Sequence, residues 1–133
     1  MNVIAIIAAA AINMIIGAFW YSPSGFCKKW MEATGKTMEN CDNSRMPQMF
    51  GFATLCSLVT ALILSYFIGL TGAVTFGAGA TVGLLAWVGF VATSALSATG
   101  VLWEGRPEIL YGLFASYTFI SFVLMGALLA LWR

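Results

Sequence analysis

A chain of 133 residues that is 61% hydrophobic and only 8% charged, with a mean hydropathy of +0.93, is not built for water, because a soluble domain carries roughly 25% charged residues. A net charge of +1 gives no basic field for nucleic acid, and the absence of histidine removes the commonest metal ligand and proton shuttle. Cys27, Cys41 and Cys56 stand at irregular spacing without a C-x-x-C pair, so neither a disulfide framework, nor a metal site, nor a cofactor is expected.

The first apolar run, residues 3–21, is long enough to cross a bilayer. It has no Lys or Arg before it and ends in the interfacial pair Trp20-Tyr21 rather than a small-residue cleavage site, so it is expected to stay as a span. A charged loop follows, with Lys28, Lys29, Glu32, Lys36, Glu39, Asp42 and Arg45. Within it Phe26, Trp30 and Ala33 recur at helical spacing beside Lys28, Lys29 and Glu32, which suits a short amphipathic helix on the inner membrane surface; the alternative is an unstructured linker. Gly35 would end that helix, and Ser44 would cap a second span over 46–70 with Pro47 in its first turn. Residues 71–75, Thr-Gly-Ala-Val-Thr, read as a tight hairpin into a third run over 74–103, long enough to tilt or to extend past the bilayer. Glu104, Arg106 and Glu108 mark a second charged turn, and a fourth run fills 109–132 before Arg133.

The expected fold is therefore an all-α membrane protein: one domain, a four-transmembrane-helix bundle, with a short interfacial helix in its first cytoplasmic loop. Lys28, Lys29, Lys36, Arg45 and Arg106 lie on the side away from the termini and only Arg133 lies with them. The positive-inside rule then predicts cytoplasmic charged loops, with both termini outside. Trp20, Tyr21, Trp103 and Tyr111 would mark the inner boundary, and Tyr66, Phe67 and Trp132 the outer one, with Trp87 and Phe90 left near mid-membrane for packing or lipid contact.

No ionisable side chain lies deep in any run. Proton-coupled transporters, pumps and voltage sensors depend on such groups, and an intramembrane hydrolase needs a nucleophile with a base. The spans are rich in small residues instead. Gly79, Gly83, Ala86, Phe90, Thr93, Ser94 and Ser97 follow 3–4 spacing on the third, and Thr54, Ser57, Ala61, Ser65 and Gly69 on the second. Ala9, Asn13 and Gly17 do so on the first, and Gly112, Ala115, Ser116 and Gly126 on the fourth. Such faces pack helices closely within one chain. The face bearing Gly79, Gly83, Thr93, Ser94 and Ser97 could also serve an oligomer interface or line a polar path. Asn13 suits a hydrogen bond to a neighbouring helix, the alternative being a ligand contact. Four spans with small side chains leave little room for a wide cavity in one copy, so a pore would require an assembly.

Four segments carry a resemblance: Trp20-Tyr21-Ser22-Pro23 with Phe26, Lys28 and Trp30; Gly89-Phe90-Val91-Ala92-Thr93; Trp103-Glu104-Gly105-Arg106-Pro107; and Met125-Gly126-Ala127-Leu128. In this order and length the chain resembles the domain of unknown function 1761 family of small bacterial membrane proteins. The resemblance implies four spans in a bacterial inner membrane and transfers no catalytic residue. Two of its motifs fall at the predicted cytoplasmic boundary, where Tyr21, Ser22, Lys28, Glu104 and Arg106 are expected to converge in a polar cluster. That cluster would fix the two loops, or bind a lipid headgroup or a partner protein.

The function expected is non-enzymatic: assembly, as a homo-oligomer or as a small subunit beside another membrane protein, among membrane lipids and without nucleic acid. The second reading is a channel or facilitator for a small neutral or lipid-like solute at an oligomer interface. The third, an interfacial enzyme acting on lipid, lacks a nucleophile–base pair.

Overall fold

The computed structural model describes residues 1–37, 39 and 43–133. Helix α1 (Val3–Trp20) starts where the Asn2 side chain accepts hydrogen bonds from the Ile4 and Ala5 amides at 3.0 and 3.4 Å. It stops at a corner built by the Trp-Tyr-Ser-Pro motif. The Phe26 amide donates back to the Trp20 carbonyl at 2.7 Å, and the Trp20 and Phe26 rings meet at 4.9 Å. Gly25 makes this reversal possible, since a Cβ there would run into the Phe19 and Trp20 carbonyls. Helix α2 (Cys27–Thr34) follows and ends, as its glycine predicts, at Gly35 with φ +71°. Cys41 and Asp42 of the charged loop lie outside the described residues.

Helix α3 (Met46–Thr71) has Pro47 in its first turn, but its cap position is Arg45 rather than Ser44, and the Arg45 side chain makes no capping hydrogen bond. Gly72, at φ +66°, stops α3, and Thr75 starts the next helix by accepting from the Ala78 amide at 3.2 Å. The tight turn over 71–75 is thus as expected. The third span is α4 (Phe76–Ala98), which ends five residues short of the expected 103. Gly100 takes φ +74° and its carbonyl accepts from both the Glu104 and Arg106 amides, at 3.0 and 3.2 Å. The Trp-Glu-Gly-Arg segment is therefore a closed loop and not a last helical turn. Helix α5 (Glu108–Leu131) completes the set.

All four long helices are apolar enough to cross a membrane. Their antiparallel succession puts the 21–45 and 99–107 connections at one end of the bundle, and the termini with the 72–75 turn at the other. Half of the most apolar stretch of α5 is buried, against about a quarter in α1, α3 and α4, which makes α5 the central post. It crosses α4 with backbone touching backbone. A Cβ on Gly79 would strike the Gly126 carbonyl, one on Gly126 the Gly79 carbonyl, and one on Gly83 the Phe122 carbonyl. The glycine step of α4 is spent on this crossing within the chain, the close approach that small residues allow in lipid.

The tight core occupies the terminal half of the bundle: Ala5, Ala9 and Ala10 of α1; Ala61, Leu64 and Ile68 of α3; Met125, Leu129 and Ala130 of α5. At that end Arg133 donates to the Ile68 carbonyl at 2.9 Å, a cation at a helix C-terminus. Midway, α4 contains a π-helical segment, Trp87–Ala92. Such a segment holds one extra residue and rotates the remainder of the helix by about 100°. The inward positions accordingly shift from Gly79, Gly83 and Ala86 to Ala95, and Thr93, Ser94 and Ser97 come out exposed. The continuous stripe that regular helical spacing predicts is therefore two faces.

Candidate functional site

Above the core the helices part. Every residue of α3 from Met46 to Cys56 is exposed, whereas Ser57, Ala61, Leu64, Ser65 and Ile68 are buried. The space between that free portion and the rest of the bundle is a cleft of about 940 Å³, at the upper end of the ~300–1,000 Å³ usual for small-molecule sites. The expectation that one copy has little room for a cavity is thus corrected. Small side chains do close the terminal half, but over its first turns α3 stands clear of its neighbours.

The cleft floor is polar. Asn13 Nδ2 donates to Ser57 Oγ at 2.7 Å, joining α1 to α3 as the reading of Asn13 as a helix-to-helix contact expects. Its Oδ1 accepts no hydrogen bond among the described residues. Thr118 also lines the cleft, accepting from Trp87 Nε1 at 3.0 Å and donating to the Phe114 carbonyl at 2.7 Å. The hydroxyl of Thr60 goes to its own helix, to the Cys56 carbonyl. Beneath this layer lie Ala9, Ala61, Ser121 and Met125, each essentially inaccessible, so the cleft is blind at that end.

Its walls are apolar and in part flexible: Met14, Met46, Met49, Phe50, Phe114 and Phe122. The mouth is aromatic and basic. Tyr21 sets its ring edge-on to Trp30 at 6.4 Å and to Tyr117 at 5.6 Å, and Lys36 Nζ sits 5.3 Å over the Trp30 ring. The Tyr117 ring lies against α1 at Gly17. Neither phenol hydroxyl makes a hydrogen bond among the described residues. Burial, with the Tyr117 phenol beside it, pushes Tyr21 up to about 12, so near neutral pH it is a proton-bearing donor rather than a base.

The expected polar cluster is divided between two places. Tyr21 belongs to the mouth of the cleft, the Ser22 hydroxyl donates to the Phe19 carbonyl at 2.6 Å, and Lys28 is exposed on α2. Glu104 and Arg106 pair with each other at 2.8 Å in the other loop. No hydrogen bond or ion pair among the described residues joins the two groups. On the α4 face, Gly79 and Gly83 pack on α5, while Thr93 donates to the Gly89 carbonyl, Ser94 to the Phe90 carbonyl, and Ser97 accepts from Trp103 Nε1. Among the described residues no three His, Cys, Asp or Glu side chains gather as a metal site.

Lys36, Tyr117 and the methionines of α3 are the site residues that sequence reasoning passed over. The signal available was a common depth: Asn13, Ser57, Thr60 and Thr118 are polar positions on three different spans. A sequence model of a family described as a protein of unknown function, DUF1761, matches residues 4–130. No curated protein and no solved structure matches the chain.

Proposed function

The chain belongs to the DUF1761 family of proteins of unknown function, and from that premise we propose that it is a non-enzymatic membrane protein whose cleft binds an amphipathic, lipid-like molecule. One observation carries the reading: a blind cleft with apolar walls, a closed polar floor and a mouth of aromatic and basic side chains. A site of that polarity holds a chain along its walls and a polar group at its mouth. Among the described residues of the lining no base stands beside a nucleophile, which favours binding over catalysis.

The proposed setting is the bacterial cytoplasmic membrane, with the mouth and both charged loops cytoplasmic and both termini outside. The five basic residues of those loops, against Arg133 alone with the termini, support that orientation. A facilitator for a small neutral or lipid-like solute would need a route past the packed layer of Ala9, Ala61 and Met125. For assembly, as a homo-oligomer or with another membrane protein, Gly79 and Gly83 are taken up by α5, which leaves the exposed Thr93, Ser94 and Ser97 of that predicted face available.

The test is native mass spectrometry of the protein released from lipid nanodiscs. The wild-type chain should carry one retained lipid-like molecule per copy, and Ala53→Trp, which places a large ring in the cleft, should carry none. Equal retention by the two chains, or none by either, would remove the reading.

A further inference from the structure

Resting on the reading of the cleft as a lipid site, we infer that the molecule it takes has an anionic headgroup, held at the mouth by the Lys36 ammonium and the phenol hydroxyls of Tyr21 and Tyr117. The first argument is depth. Along α1 the lining runs from Asn13 to Tyr21, ~12 Å at 1.5 Å per residue, and along α3 from Thr60 to Met46, ~21 Å. One leaflet of a ~30 Å hydrocarbon core is ~15 Å. The cleft therefore spans a single leaflet, with its floor near the midplane and its mouth at headgroup depth.

The second argument is the chemistry of the mouth. Among the described residues Lys36 is the charged residue of the lining, and no carboxylate there pairs with it. Glu32 and Glu39 are exposed and stand outside the lining. Among the described residues the phenols are donors without partners, and Asn43 adds an amide. A cation beside neutral donors matches a phosphodiester or carboxylate headgroup through charge-assisted hydrogen bonds. A zwitterionic headgroup brings an ammonium as well, and among the described residues the lining has no carboxylate to receive it. Free phosphate would leave the apolar walls unused, so the anion is the head of a lipid.

The experiment places the full chain in nanodiscs of equal parts phosphatidylglycerol and phosphatidylcholine and reads retained lipid by native mass spectrometry. The wild-type chain should retain phosphatidylglycerol over phosphatidylcholine by about fivefold, the effect of one basic residue at a membrane surface. Lys36→Gln should bring that ratio close to one with total retained lipid unchanged, and Lys36→Arg should restore it. Tyr117→Phe should lower it by a smaller factor. Lys29→Gln, whose ammonium sits over the Phe26 ring away from the cleft, should leave the ratio as it is. Equal retention of the two lipids by the wild type overturns the headgroup assignment and leaves the lipid site standing, whereas no retained lipid removes the site itself. A Lys29→Gln effect as large as that of Lys36→Gln would assign the preference to general surface charge and overturn the inference. Displacement of phosphatidylglycerol by excess inorganic phosphate would make the ligand a free anion, and would overturn it too.

Discussion

The crossing of α4 and α5 can be tested by one chemical change made at two places. In a regular helix Gly→Ala gains ~1 kcal/mol of intrinsic propensity. At Gly112 on α5 nothing lies within 4 Å of where the new methyl would stand, so Gly112→Ala should lie between neutral and ~1 kcal/mol more stable. At Gly83 on α4 the same methyl would collide with the Phe122 carbonyl and come within 3.3 Å of Val123 Cα. Those are backbone atoms that no rotamer change can move. The two helices must separate along the contact, and overpacking of this kind costs ~1–3 kcal/mol. Net of propensity, Gly83→Ala should lose up to ~2 kcal/mol, and the overpacking alone puts a gap on the order of 2 kcal/mol between the variants. Reversible unfolding in mixed micelles, titrated with dodecyl sulfate and followed by circular dichroism, measures both on one scale. If the two variants agree within about 0.5 kcal/mol, the spread left by non-additivity, the backbone contact is refuted and α4 does not lie where it is described.

Three further outcomes are expected. A double-mutant cycle of Asn13→Ala and Ser57→Ala should give a coupling of ~0.5–1.5 kcal/mol in the same assay, the range of hydrogen bonds between membrane helices; a coupling of zero would detach α1 from α3 at the cleft floor. Tyr21 should titrate near 12 instead of its ordinary 10.0; between those values the unfolded chain has released the phenolic proton and the folded chain has kept it, so stability should fall as pH rises through that window. Replacing Tyr21 by Phe should flatten that stretch of the pH profile, and an unchanged profile would place the effect elsewhere. In a variant with Cys27 as its single cysteine, a membrane-impermeant maleimide should label opened or inside-out vesicles and not intact cells; labelling of intact cells would reverse the proposed orientation.

The spans were legible because a bilayer demands ~20 apolar residues and tolerates few charges, and Gly35 and Gly72 announced their helix ends because few other residues adopt a left-handed turn. The end of the third span was not legible. Val101, Leu102 and Trp103 are apolar enough to belong to a helix, and what stops it is Gly100 in a loop closed by amides from Glu104 and Arg106. The π-helical residue of α4 left no mark in composition either, so the 3–4 spacing carried Ser94 and Ser97 to a face they do not occupy. The cleft was hidden for a more general reason. Lipid-facing and protein-facing positions are equally apolar, so Phe50 at the cleft and Phe52 beside it read alike. Only polar positions such as Asn13 and Ser57 betray an interior, and they are few.

In mechanical terms α3 is a cantilever. Its last turns are held from Ser57 onward by α1, α4 and α5, and its first eleven residues, Met46 to Cys56, stand exposed. The free arm from Ser57 to Met46 is ~16 Å long at 1.5 Å per residue, so a swing of ~10° about the clamp carries its tip by roughly 3 Å. Because that arm is one whole wall of the cleft, capacity is set by an angle rather than by side-chain size alone. If the cleft takes a lipid as proposed, such a swing would widen it for a bulkier guest or narrow it for a slim one while the packed half beneath stayed as it is.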